Sequence, residues 1–141
     1  MKHDLSKSDR DFLTAFEAGA YAPADFSHRA HIRLAYVYLA TNDVERATVR
    51  MRSSLMNFLK VHGITPTKYH ETLTRGWILA VHHFMHRCPT ALSADDFIAR
   101  EPMLLDSRIM LTHYSTQLLF SDKARAAFVE PDLDPIPRHA A

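Results

Sequence analysis

The 141 residues contain one cysteine, three glycines and one tryptophan, and the scarcities narrow the field at once. With Cys88 alone there is no internal disulfide and no multi-cysteine zinc site, and a reducing compartment is the default setting. No apolar run approaches the ~18 residues that a membrane span needs. The opening MKHDLSKSDRDF carries no apolar signal region, so a cytoplasmic location without membrane attachment is expected. Charge of one sign is missing too: 17 Lys and Arg stand against 16 Asp and Glu, for a net +1. The basic residues are interleaved with acids rather than striped, which is not the footprint of a nucleic-acid binder. A P-loop, a dinucleotide fingerprint, a serine-hydrolase elbow, HExxH and CxxCH are all absent.

What is present is helical periodicity over one domain's length, with no repeat and no linker. Ser6 or Ser8 caps a first helix over about 6–18, which Gly19 ends, and Ser27 caps a second, HRAHIRLAYVYLA, apolar on nearly every side. Asn42 breaks that helix and Asp43 opens a third, in which Val44, Ala47, Met51, Leu55, Phe58 and Leu59 follow the helical period up to Gly63. A fourth helix is expected from about Lys68 to Arg87, with Leu73, Trp77, Val81 and Phe84 as its buried stripe and Cys88-Pro89 as its stop. Ser93 opens a short fifth, a sixth is expected over about 103–120, and Ser121 caps a last turn. The tail VEPDLDPIPR should run extended against the bundle through Phe128, Val129 and Leu133. With no period-2 alternation, the expected class is all-α: one domain of five to six helices, with a core over about 6–130 and a Pro-rich tail over 131–141.

The abundant residue is histidine, at 10 positions. Short loops joining the first four helices predict antiparallel neighbours, so the second and fourth would start at the same end of the bundle. His28 and His31 lie in the first turn of one, His70 and Glu71 in the first turn of the other, and a returning sixth helix would bring His113 and Tyr114 to them. Four imidazoles converging from three helices suit a divalent transition metal, Zn or Fe foremost. Glu71 would be a further ligand or the general base, and Tyr69 or Tyr114 a proton donor. Lys68, Arg29, Arg33 and Arg75 surround that end and favour a small anionic molecule. The plainer reading is a network of neutral histidines closing the bundle without metal. His82, His83 and His86 form a second group at a helix C-terminus, where the dipole alone accounts for them; His3, His62 and His139 read as terminal or surface residues.

The stretches FSHRAHIRLAYVYL, KYHETLT and FVEPDLDPIP resemble a family of small bacterial helical proteins that carries no settled activity. The resemblance runs from Phe26 to Pro137 and implies a whole domain. The expectation is a metal-dependent enzyme acting on a small polar molecule. The alternatives are a metal-free ligand-binding module or a structural or regulatory helical protein, with a homodimer left open.

Overall fold

The computed structural model describes residues 1–139, which carry eight α-helices and one pair of two-residue strands. The helices are α1 (Lys7–Glu17), α2 (His28–Thr41), α3 (Val44–Val61), α4 (Glu71–Arg87), α5 (Ala94–Arg100), α6 (Met110–His113), α7 (Thr116–Leu119) and α8 (Asp122–Ala126). The starts are chemically simple. Ser6, Ser27, Asp43, Ser93 and Ser121 each accept, through the side chain, an amide N–H from the first turn of the helix that follows. The ends of α1 and α3 are followed by Gly19 and Gly63 at φ 75° and 66°, left-handed values that a side chain resists.

Helices α2 and α4 form the centre. Ile32 and every residue from Leu34 to Leu39 are buried in α2, and in α4 Gly76 to His82 are buried without a break. A helix buried through two consecutive turns has no solvent face, so α4 needs cover all round. It receives it from α2, α3, the short helices α6 and α8, and the tail. His28 lies against Trp77, with ring centroids 4.8 Å apart. Tyr36 packs on His3, whose ring bonds the Cys88 carbonyl just beyond α4. These contacts set α2 and α4 running in the same direction, with the start of α2 opposite the middle of α4.

The structure departs from expectation in four places. The stretch 103–120 is not one helix but two 3-10 turns followed by α6 and α7. Asp106 accepts the Arg108 N–H, Tyr114 is extended at φ −124° and ψ 136°, and the Ser115 hydroxyl restarts the helix by accepting the Leu118 N–H. Asp132 holds that break open by accepting both the amide and the hydroxyl of Ser115, at 2.8 and 2.6 Å. Second, α4 begins at Glu71 rather than Lys68, because Pro66–Lys68 forms a 3-10 turn. Third, Lys2–His3 pairs in parallel with Thr90–Ala91, a strand pair too short to show a period. Fourth, Leu133, expected to dock, is 52% exposed, and Ile136 is the tail residue that inserts.

Asp9 ties three elements together. It is 1% exposed; one carboxylate oxygen accepts the Ser6 and Ala94 amides at 3.1 and 3.0 Å, and the other accepts Arg33 Nε at 3.1 Å. The same group thus closes the capping box of α1, receives the first amide of α5 and neutralises an arginine of α2. Burial alone would raise its pKa, but the Ala94 and Ser6 amides and Arg33 hold it below the ordinary aspartate value. Asp9→Ala leaves a guanidinium and a helix start without their acceptor. A loss of about 3 kcal/mol is expected in urea unfolding, the range for breaking a buried pair plus a cap. A loss below about 1 kcal/mol would show that the three elements hold without it.

Candidate functional site

The four histidines expected to share a metal do not come together. His70 is the N-cap of α4: Nδ1 accepts the Leu73 N–H at 3.1 Å, and Nε2 donates to the Leu119 carbonyl at 2.7 Å. That arrangement sets the tautomer and uses both nitrogens, leaving no lone pair for a metal. His28 donates from Nε2 to the Leu104 carbonyl at 2.8 Å. His113 donates from Nδ1 to the Asp134 carbonyl at 2.7 Å, and it sits close enough to His83 to oppose its protonation. His83 is thirteen residues beyond His70, about 20 Å along α4, so His113 serves the other half of that helix. Among the described residues no group of three His, Cys, Asp or Glu side chains is arranged to hold a metal ion.

The acid-base candidates are committed as well. Glu71 takes a two-pronged bond from Arg52, at 2.8 and 2.5 Å, and a third from the Tyr69 hydroxyl. Burial pushes the Glu71 carboxyl up, but Arg52 and Tyr69 outweigh it and hold it below the ordinary glutamate value, so it stays an anion locked in an ion pair. Burial and the bond to Glu71 push Tyr69 up to about 12. Tyr114 is fully buried and donates to the Val129 carbonyl at 2.6 Å; burial drives its pKa up to about 12. It anchors the start of the tail, its hydroxyl committed to that carbonyl. Arg29 pairs with Asp95, Arg33 with Asp9, and Arg75 with Glu45 through two bonds of 3.0 and 2.7 Å. Of the basic rim, only Lys68 makes no ion pair among the described residues.

His31 behaves differently. No group among the described residues hydrogen-bonds its ring, and burial, followed by the nearby His28, lowers its pKa to about 4. The ring is hemmed in by protein yet keeps some exposure, because it forms part of the wall of a cavity of about 220 Å³. Phe26, Leu55, Phe58, Leu59 and Leu73 make the greasy walls, with Lys68, Tyr69 and His70 at the polar side. The cavity is lined from α3, from the connection through the 3-10 turn Pro66–Lys68 and from the start of α4, and the segment before α2 adds Phe26. Leu55 and Leu59 lie on the apolar stripe of α3 but stay only partly buried, because they face this space. Sequence reasoning placed His31, His70, Lys68 and Tyr69 at one end of the bundle, and the structure does gather them. It missed Phe26, Leu55, Phe58 and Leu59 as a lining, since apolar residues at helical spacing carry the same signal whether they face a core or a cavity.

An uncharged imidazole with open nitrogens, beside an unpaired ammonium and apolar walls, can accept a hydrogen bond or a proton from a bound molecule. Comparison with family models, curated proteins and solved structures finds no match to this chain.

Two outcomes follow from these positions. His70→Ala removes the cap of α4 and the bond to Leu119, and about 2 kcal/mol of stability should go with it, equally with and without a chelator. A loss seen only without chelator would mean that His70 holds a metal. For His31, the unfolded chain takes up its proton near pH 6.5 and the folded one only near 4. Between those values the unfolded state binds more protons, so this group stabilises the fold fully above 6.5 and progressively less towards 4. His31→Leu should therefore lose less stability than the parent between pH 7 and 5 in urea unfolding. Equal losses would show that the ring is not held neutral.

Proposed function

We propose that this chain is a small-molecule-binding domain, and that its ligand is a compact, mostly apolar molecule with one acidic or hydrogen-bonding end. The observation that carries the proposal is His31: of the four candidate histidines it alone has an uncommitted ring, and that ring lines an apolar cavity with Lys68 at the polar side. A polar group left unpaired in such a place loses its hydration without return unless something enters to bond it. The apolar walls favour a hydrocarbon or aromatic body, and burying each methylene contributes about 0.8 kcal/mol to its affinity. Lys68 favours an anionic end, which agrees with the charge expected from the basic residues around this end of the bundle.

The metal-dependent reading asks more of the same residues. To offer a lone pair, His70 would have to release the Leu73 N–H from Nδ1, while His28 bonds Leu104 through Nε2 alone and keeps Nδ1 open. That release leaves a helix amide without its partner, at a cost of roughly 1–3 kcal/mol. Zinc or iron could bind here only by repaying that cost. A catalytic use of the pocket, with His31 as proton acceptor, is compatible with the binding reading and adds a reaction to it.

The test is ligand-observed and protein-observed NMR with aromatic and short aliphatic carboxylic acids and their matching alcohols, alongside a zinc titration. Binding should shift the Leu55, Leu59 and Leu73 methyl signals and the His31 ring nitrogens. Leu59→Trp, which fills the cavity, should abolish those shifts while leaving the fold intact. If no compound perturbs the pocket, or if the filled variant binds equally well, the proposal fails. A zinc-dependent rise in melting temperature that disappears in His28→Ala or His70→Ala would restore the metal-dependent reading.

A further inference from the structure

Away from the pocket, the last residues of the described chain run as a strap along α4. Thr72 donates to the Ala127 carbonyl and accepts the Val129 N–H, fixing the near end. Ile136 is 5% exposed and lies in the gap that Gly76 leaves, where an added Cβ would meet Met110 Sδ at 3.0 Å and Ile136 Cδ1 at 3.9 Å. The far end is held by histidine alone. The His139 ring lies nearly parallel to His83 and His86, with centroids 5.1 and 4.2 Å away, and its Nε2 is 2.8 Å from His83 Nδ1. His82, itself 4% exposed, abuts His86 edge-on at 4.7 Å. Stacked rings do not direct their nitrogens to a common point, so the group is not built as a metal centre.

The charges around the cluster are one-sided. From α4 it faces Arg87, from the N-terminal strand the terminal amine and His3, and from α6 His113. The acids on neighbouring segments are already engaged, Glu101 with Arg87 at 4.0 Å and Glu130 with Arg138 at 3.0 Å. Among the described residues no carboxylate bears on His82 or His86. The end of α4 favours a positive histidine, but burial and these neighbours prevail and depress all three α4 histidines, His82 to about 4.

We infer that His82, His83, His86 and His139 form an acid-sensitive clasp: uncharged, they dock the end of the strap on α4; protonated, they repel it. At pH 7 the rings are neutral and stack. The docked His139 opposes protonation of His82, His83 and His86, so acid favours the undocked strap. Release lifts Ile136 from Gly76 and Met110 and opens an apolar face of α4 that neutral pH keeps closed. Each unit between docked and undocked proton affinities shifts the equilibrium tenfold.

The experiment is methyl-labelled NMR on the whole chain, following the contact between the Ile136 methyl and Gly76 at pH 7.5 and pH 5, with Ile78 as a core reporter. The contact should be present at pH 7.5 and at least about tenfold weaker at pH 5, while Ile78 keeps its folded signal. In His139→Gln the contact should survive at pH 5. The inference is overturned if the contact is absent at pH 7.5, persists at pH 5 in the parent, vanishes equally in His139→Gln, or disappears together with the Ile78 signal.

Discussion

Helix α4 has no side that faces water through its middle turns, and the rest of the molecule is arranged to satisfy that condition. An apolar helix stripe can be covered by one neighbour, but a helix buried all round must be walled in from several directions. Helices α2 and α3 cover two sides. The remaining sides are closed by pieces too short to stand alone, namely α6, α8 and the strap, which depend on α4 as much as α4 depends on them. Its polar groups must be satisfied inside the protein: Thr72 by the strap backbone, Thr74 by the His70 carbonyl, and His70 by Leu73 and Leu119. Where the wall is incomplete, between α3 and the start of α4, the cavity opens.

The histidines divide along the same line. His70 and His28 are structural connectors, each joining a helix start to a carbonyl far away in sequence. His113 holds the strap, as do His82, His83 and His86 with His139. His31 is left without a protein partner, beside the cavity. Of the 10 histidines, six hydrogen-bond a partner among the described residues through the ring, and His70 does so through both nitrogens. Glu71 follows the same pattern, since a residue placed to act as a base beside His70 is spent as the anion of an Arg52 fork.

Much of the scaffold is legible in the residues themselves. The Ser, Asp and Gly positions at helix ends act on amides and backbone angles within about four residues, so they can be read without knowing the fold. The same local reasoning failed over 103–120, where apolar spacing suggested one helix. There a distant carboxylate, Asp132, adds to the local cap by Ser115 and holds a break that spacing alone did not reveal. It also failed for α4, whose buried stripe was visible but whose buried Gly76 and His82 were not, because a glycine and a histidine look solvent-facing until the strap is seen to lie over them.

What the residues alone determine is therefore the all-helical class, the starts and stops of α1, α2 and α3, and the gathering of His31, His70, Lys68 and Tyr69 near one end. The tertiary structure decides what those groups are free to do. Each imidazole has two nitrogens, and whether they meet a ligand or a backbone carbonyl depends on segments 49 residues from His70 and 76 residues from His28. Hydrogen bonds of that separation leave no periodic trace in sequence, so the choice between a metal cluster and an apolar pocket with one open histidine appears only when the chain is folded.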